Sequence, residues 1–253
     1  MPNLQILLCG CMGRMGHAVT QAAAQQPDAV IVAGVDAHPG DAPFPVYRTP
    51  GDCREPVNVI IDFSHPAALA DELAYAVAHR LPLVLATTGL NDSQLAAVRE
   101  AAQQIPVFSS GNMSLGVAVL AALTKKAAAV LGDSFDIEIV EMHHNQKLDA
   151  PSGTAMMLAE AARSGLRHPV QYIYDRHERR QKRSPEEIGI ASVRGGNIVG
   201  EHQVIFAGGD EVVTLTHRAQ SRGIFADGAL HAARFLLTQP AGLYTMDNLL
   251  GQL

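Results

Sequence analysis

The densest chemistry in the chain is the run Glu141-Met142-His143-His144-Asn145-Gln146-Lys147-Leu148-Asp149-Ala150-Pro151-Ser152-Gly153-Thr154-Ala155. Imidazole titrates near neutrality, so His143 or His144 can give or take a proton at physiological pH, and Lys147 adds a cation that attracts carboxylates or donates a proton. Ser152, Gly153 and Thr154 read as a helix start, where backbone N–H groups without intrahelical partners bind anions. Together these residues describe a site for a small dicarboxylate that receives a hydride and a proton. A single histidine at a strand end would read as a hydrogen-bonded core residue; the cluster is what points to chemistry. His143 and His144 close a strand pattern and should face opposite sides, so the pair is not expected to share a metal ion, and no metal is predicted.

A second candidate run is Gly10-Cys11-Met12-Gly13-Arg14-Met15-Gly16, a G-x-x-G-x-x-G loop between a strand pattern and a helix pattern. Glycines let the backbone turn tightly and approach a pyrophosphate, which the helix N-terminus stabilises through its free N–H groups and macrodipole. Gly10, Cys11, Met12, Gly13, Arg14 and Met15 are therefore candidate dinucleotide contacts. Asp36 lies 20 residues beyond Gly16, at the end of the second strand, where a carboxylate can bind the adenosine ribose hydroxyls. Ala86-Thr87-Thr88-Gly89 and Ser110-Gly111-Asn112-Met113 each follow an apolar strand at its carboxyl end, the edge at which open parallel sheets bind ligands. Ala86, Thr87, Thr88, Ser110, Gly111, Asn112 and Met113 are read as neighbours of the nicotinamide or its ribose; either loop alone could equally be a plain connection.

These groups need elements to hold them. Leu4 to Cys9 reads as a strand, about Arg14 to Gln25 as a helix, Val30 to Val35 as a strand, and Val57 to Ile61 as a strand ending at Asp62-Phe63-Ser64. Helix patterns over Pro66 to Ala78 and Asn91 to Gln103 alternate with strands Leu83 to Ala86 and Pro106 to Phe108, with Pro66 where a first helical turn tolerates it. Strands alternating with helices predict an α/β fold, a doubly wound, Rossmann-like parallel sheet. After Leu115 a long alanine-rich helix reaches Leu131, strand Phe135 to Met142 follows, and three β-rich segments come without intervening helices, Ile188 to Val193, Ile198 to Phe206 and Glu211 to Thr216. That grammar predicts a second, mixed α+β domain. The expected division is a dinucleotide-binding domain over 1–114 plus about 222–253, and a substrate-binding and oligomerisation domain over about 115–221.

The chain resembles the dihydrodipicolinate reductases. The segment from Glu141 to Ala155 is similar to that family's E-x-H-H-x-x-K-x-D-x-P-S-G-T-A signature, Gly10 to Gly16 to its G-x-x-G-R-M-G loop, and Thr87-Thr88-Gly89 to its T-T-G. Arg194-Gly195-Gly196-Asn197-Ile198-Val199-Gly200-Glu201-His202 resembles its R-x-G-x-x-x-G-x-H, and the ending Met246-Asp247-Asn248-Leu249-Leu250 is also family-like, so the likeness runs nearly end to end. The resemblance implies a homotetrameric enzyme that reduces the cyclic product of the preceding synthase to tetrahydrodipicolinate with NADH or NADPH, in lysine and diaminopimelate biosynthesis. By that analogy His143 is the proton donor or acceptor, Lys147 a second proton donor, and His144, Gly153 and Thr154 hold the substrate carboxylates.

Composition narrows the alternatives. Charged residues are 17% and the net charge is -6, without a basic tail, which argues against a nucleic-acid partner. The longest uncharged stretch, Ile105 to Thr124, is interrupted by proline, glycine and polar residues, so no membrane span is expected. The N-terminus has no positively charged lead-in, and Cys9, Cys11 and Cys53 fit neither a zinc site nor a disulfide framework, so a cytoplasmic protein with reduced thiols is predicted. Two departures from the family stand out. Ala37 and His38 follow Asp36 where many relatives carry an arginine for a 2′-phosphate, which predicts preference for NADH or comparable use of both cofactors. Asp175 to Arg183 is a basic stretch where relatives carry glycines, and it reads as a solvated, mobile loop. A nicotinamide-sensing regulator and another small-substrate dehydrogenase of similar build are the competing readings. The regulator gives no reason for His143, His144 and Lys147 to precede Ser152-Gly153-Thr154.

Overall fold

In the computed structural model, which describes residues 4–132 and 134–251, the chain divides into two units. One runs to Leu115 and resumes at Arg222; the other is Gly116–Ser221. In chain order the elements of the first stretch are β1 (Leu4–Cys9), α1 (Arg14–Ala24), β2 (Ala29–Val35), β3 (Val46–Tyr47), β4 (Val59–Asp62), α2 (Leu69–His79), β5 (Leu83–Leu85), α3 (Asp92–Ala101) and β6 (Pro106–Ser109). Then come α4 (Leu115–Leu131), β7 (Asp136–His143), α5 (Gly153–Gly165), β8 (Gln171–Ile173), β9 (Glu187–Arg194), β10 (Gly200–Ala207) and β11 (Val212–Ala219). The chain closes with α6 (Gly223–Leu236), β12 (Gly242–Tyr244) and α7 (Met246–Leu250).

The first unit holds a parallel sheet in the order β12-β6-β5-β4-β1-β2-β3. Its central strands are buried on both faces: every residue of β4 and β5 is buried, all apolar but Asp62 at the end of β4. That follows from helices covering both sides. One face meets α2 and α3 through Leu69, Leu73, Ala76, Val98 and Ala101; over the other, α6 lies on β4, β5 and β6 and packs on α1. Strand order reverses between β1 and β4, so successive crossovers diverge there and open a crevice at the carboxyl edge. The sequence reading differs from the structure at Pro66, which opens a short 3-10 turn (Pro66–Ala68) ahead of α2, with His65 Nδ1 accepting the Ala67 N–H. The strand read over Val57 to Ile61 is shifted to Val59–Asp62. Strands β3, β8 and β12 are two or three residues long, too short for periodicity to reveal.

The second unit holds a mixed sheet in the order β11-β10-β7-β9-β8, with β7, β9 and β8 parallel and β10 and β11 antiparallel. Residues of β7 alternate strictly between buried and half-buried. The buried set Ile137 and Ile139 packs with Val204 and Phe206 of β10 under Leu158, Ala159 and Ala162 of α5. The same face then turns polar: Glu141 and His143 follow on β7, and His202 stands on β10 opposite Glu141. The basic stretch is a loop, exposed at His177, Glu178, Arg180, Gln181 and Lys182 as expected, but three of its arginines are anchored. Arg176 makes a two-pronged ion pair with Glu138 at 2.8 and 3.0 Å, Arg179 bonds Glu187 at 2.9 and 3.0 Å, and Arg183 pairs with Asp136. Glu138 and Asp136 of β7, distant in sequence, and Glu187 at the start of β9, a few residues on, supply the counter-charge. Among the described residues, no helix is long and apolar enough to cross a membrane.

Candidate active site

In the first unit, the glycine-rich loop leaves β1 into a cleft of about 560 Å³ lined by Gly10, Gly13, Asp36, Ala37, Phe63 and Ser64, among others. Gly10 has φ +74°, and a Cβ there would come within 2.5 Å of the Phe63 carbonyl oxygen, so both conformation and close approach require glycine. Gly13 caps α1 without a side chain, and no acid stands in the first turn, which leaves the positive helix end available to an anion. Both oxygens of Asp36 accept backbone N–H groups, Oδ2 from Met12 and Oδ1 from His38, each at 3.0 Å. The carboxylate is thereby fixed against the loop, with lone pairs left for a diol. These features fit an adenine dinucleotide.

Other predicted residues sit differently. Cys11 is buried, turned under the loop against Gly34, and burial pushes its thiol up to about 11. Arg14 is exposed, Met12 and Met15 half-buried. Ala86 and Thr87 are buried while Thr88 is exposed, and Ser110, Gly111 and Asn112 form a local turn in which Ser110 Oγ donates to the Asn112 carbonyl at 2.7 Å. The two loops adjoin, since Ser110 N–H bonds the Leu85 carbonyl at 3.2 Å. They occupy the carboxyl edge two and three strands from β1 rather than the wall of the Gly10 cleft. Met113 points into the core, its backbone beneath Gly228 of α6.

The cleft also contains residues the motifs did not single out: Arg48, Phe63, Ser64, His65 and Glu72. Glu72 is 1% exposed and accepts the Ser64 hydroxyl at 3.0 Å. Burial, with the charge of Asp62 nearby, pushes its carboxyl up to about 8, so it is uncharged at neutral pH and does not oppose a phosphate.

In the second unit the signature residues form a connected network. Glu141 is fully buried and receives the Arg194 guanidinium at 2.7 and 3.0 Å, the Ser152 N–H at 3.2 Å, and faces His143 Nδ1 at 2.5 Å. Burial alone would raise the Glu141 carboxyl, but bonds from Arg194, Ser192 and His143 hold it at about 2. It is therefore an anion, and the ring it faces must present an N–H from Nδ1, which turns Nε2 into the reactive nitrogen. Burial, Lys147 and Arg194 lower the His143 titration more than Glu141 raises it, so the imidazole is neutral near pH 7. Gly200 faces that ring; a Cβ there would sit 3.1 Å from Nε2.

Ser152 caps α5 through its hydroxyl and approaches His202 Nε2 at 3.1 Å, while the His143 and His202 rings meet edge to face at 5.2 Å. Burial takes His202 down to about 4. Lys147 is fixed by Asp149 at 2.8 Å, and Arg194 also bonds the Asp149 carbonyl at 2.6 Å, tying this loop to β9. Gly153 is exposed at the first turn of α5, and Thr154 and His144 are half-buried beside it in sequence and after β7 respectively. Ligand atoms of Glu141, His143 and His202 lie within 4.8 Å of one another, a spacing a metal ion could use. The guanidinium already seated on both Glu141 oxygens competes for that position. Glu141, Arg194 and His202 stand inside sequence motifs that give them no role, and Ser152 is read there only as part of a helix start; the signal for the network is the register of two later strands against β7.

Comparisons with known proteins agree along the whole chain. The family pattern described as dihydrodipicolinate reductase, N-terminus, matches residues 4–113, and that described as dihydrodipicolinate reductase, C-terminus, matches 116–250. A 4-hydroxy-tetrahydrodipicolinate reductase from Caldanaerobacter subterraneus subsp. tengcongensis is 49% identical over 246 residues, covering 97% of this chain and 98% of the relative. One from Clostridium botulinum is 42% identical, covering 98% of each. Among solved structures, a dipicolinate-bound dihydrodipicolinate reductase from Paenisporosarcina sp. TG-14 gives a TM-score of 0.79 at 23% identity, over 96% of this chain and 97% of that one, a likeness of fold.

Proposed function

Because the chain belongs to the dihydrodipicolinate reductase family, we propose that it reduces the 4-hydroxy-tetrahydrodipicolinate or dihydrodipicolinate ring to tetrahydrodipicolinate, in lysine and diaminopimelate biosynthesis. The observation that carries the reading is the buried Glu141–His143–Arg194–Ser152 network at the head of α5, which builds proton chemistry beside an anion-binding helix start. Gly10, Met12, Gly13 and Asp36 of the first unit hold NADH or NADPH, which supplies the hydride when bound. The regulatory alternative accounts for none of the second unit's polar network.

The residues divide the work. His144, Gly153 and Thr154, at the positive end of α5, take the substrate carboxylates. Lys147, oriented by Asp149, neutralises their charge and donates a proton to the ring. His143, neutral and held by Glu141 in one tautomer, takes a proton from solvent at Nε2 and passes it on to replace the one that Lys147 gives the ring, and Glu141 stabilises the imidazolium formed in between. Asp36 followed by Ala37 favours NADH or comparable use of both cofactors. The three cysteines are free and buried, in keeping with a cytoplasmic setting, and Val193 and Val212 leave apolar surface on the second sheet in keeping with a homotetramer.

The test is oxidation of NADH or NADPH with freshly generated synthase product as substrate. Turnover is expected in the native chain, and H143Q and K147A should each lower kcat by about 10²-fold or more while leaving the dinucleotide Kd within a few-fold. Native-like turnover in both variants overturns the assignment. Sedimentation should give four times the mass of one chain.

A further inference from the structure

We infer that Arg48, carried on the strand beside Asp36, is the residue through which this cleft accepts a 2′-phosphate, so that NADPH is bound alongside NADH. The inference rests on reading the Gly10 cleft as the dinucleotide site. Strands β2 and β3 run parallel with Gly34 opposite Val46 and Val35 opposite Tyr47. The Asp36 N–H continues the ladder to the Tyr47 carbonyl at 3.0 Å. Asp36 and Arg48 are therefore the next opposed positions, and opposed residues of parallel strands present side chains to the same side. Both line the cleft, as does Ala37, whose methyl fills little of the space between them.

The charges around Asp36 favour the same assignment. The Asp36 carboxylate, fixed by two backbone N–H groups, repels a phosphate placed on the neighbouring ribose oxygen. Ala37 supplies no compensating cation, and His38 is exposed with its N–H turned to Asp36. Arg48 is exposed, and among the described residues its guanidinium has no carboxylate or carbonyl partner, unlike Arg54, which bonds the Gly51 and Cys53 carbonyls. A planar guanidinium with free donors can pair with a phosphate in two-pronged fashion. The cation that motif reading seeks next to the acid is reached instead from the adjacent strand.

Titration of the purified full chain with NADH and NADPH, followed by fluorescence or calorimetry, tests this without turnover. R48A should raise the NADPH Kd tenfold or more and move the NADH Kd less than threefold, with R48K intermediate because an ammonium is a point donor. The fragment 2′,5′-ADP should outcompete 5′-AMP in the native chain and lose that advantage in R48A. Added salt should weaken NADPH binding more steeply than NADH binding, and the difference should vanish in the variant. R99A, on the exposed side of α3, serves as the control and R48Q as a second variant should R48A fold poorly. An unchanged NADPH-to-NADH ratio in R48A and R48Q overturns the role of Arg48 and leaves the cleft intact. A native chain that binds neither dinucleotide sinks the cleft reading itself.

Discussion

At the scale of single residues, the arrangement around Glu141 decides what His143 can do. A buried imidazole left alone would lose protonation capacity to desolvation. The ionised partner at Nδ1 restores part of it and selects the tautomer, while Arg194 keeps that partner ionised. In the proposed reaction Glu141 is thus a positioning residue that acts through His143. Replacing it with E141Q removes a cause that raises the His143 pKa, so the acidic limb of the pH profile of kcat/KM should move to lower pH, with kcat reduced at least tenfold. Loss of activity with an unmoved limb would assign Glu141 a structural role only.

At the scale of elements, helix termini and close contacts place the chemistry. Ser152 belongs to two elements at once: it caps α5 and anchors the helix start to Glu141 and His202 on the sheet. In the first unit, α6 approaches the loop after β6 so closely that a Cβ on Gly228 would overlap the Met113 carbonyl. G228A should therefore lift α6 from the sheet and destabilise the protein by about 1–3 kcal/mol, the usual range for overpacking. Urea unfolding measures this, and a change below about 0.5 kcal/mol would show that α6 can shift without loss.

At the scale of the whole molecule, opposed titrations shape stability against pH. His202, depressed to about 4, contributes stability that is present above its ordinary range near 6.5 and is lost as pH falls toward 4. Glu72, raised to about 8, does the reverse: the folded state holds its proton while the unfolded state has released it, so stability is lost as pH rises from about 4.5 to about 8. Between pH 6.5 and 8 the Glu72 contribution acts with little opposition. The native protein should lose stability as pH rises through that window, with Asp62 beside Glu72 raised in the same direction. E72Q, neutral at every pH, should flatten that decline in calorimetric scans; an equal decline in the variant would place its cause elsewhere.

What the sequence by itself determined was local. The turn at Gly10, the start of α5 at Ser152 and the alternation that makes one sheet parallel and the other mixed all follow from short-range sterics, capping and periodicity. Tertiary structure alone decided which distant residues complete each site. Arg194 and His202 reach Glu141 and Ser152 across 53 and 50 residues because β9 and β10 flank β7 in a particular register. Arg48 stands by Asp36 because a two-residue strand pairs with β2. Strand register is fixed by burial over the whole sheet, a long-range condition that no window of sequence contains.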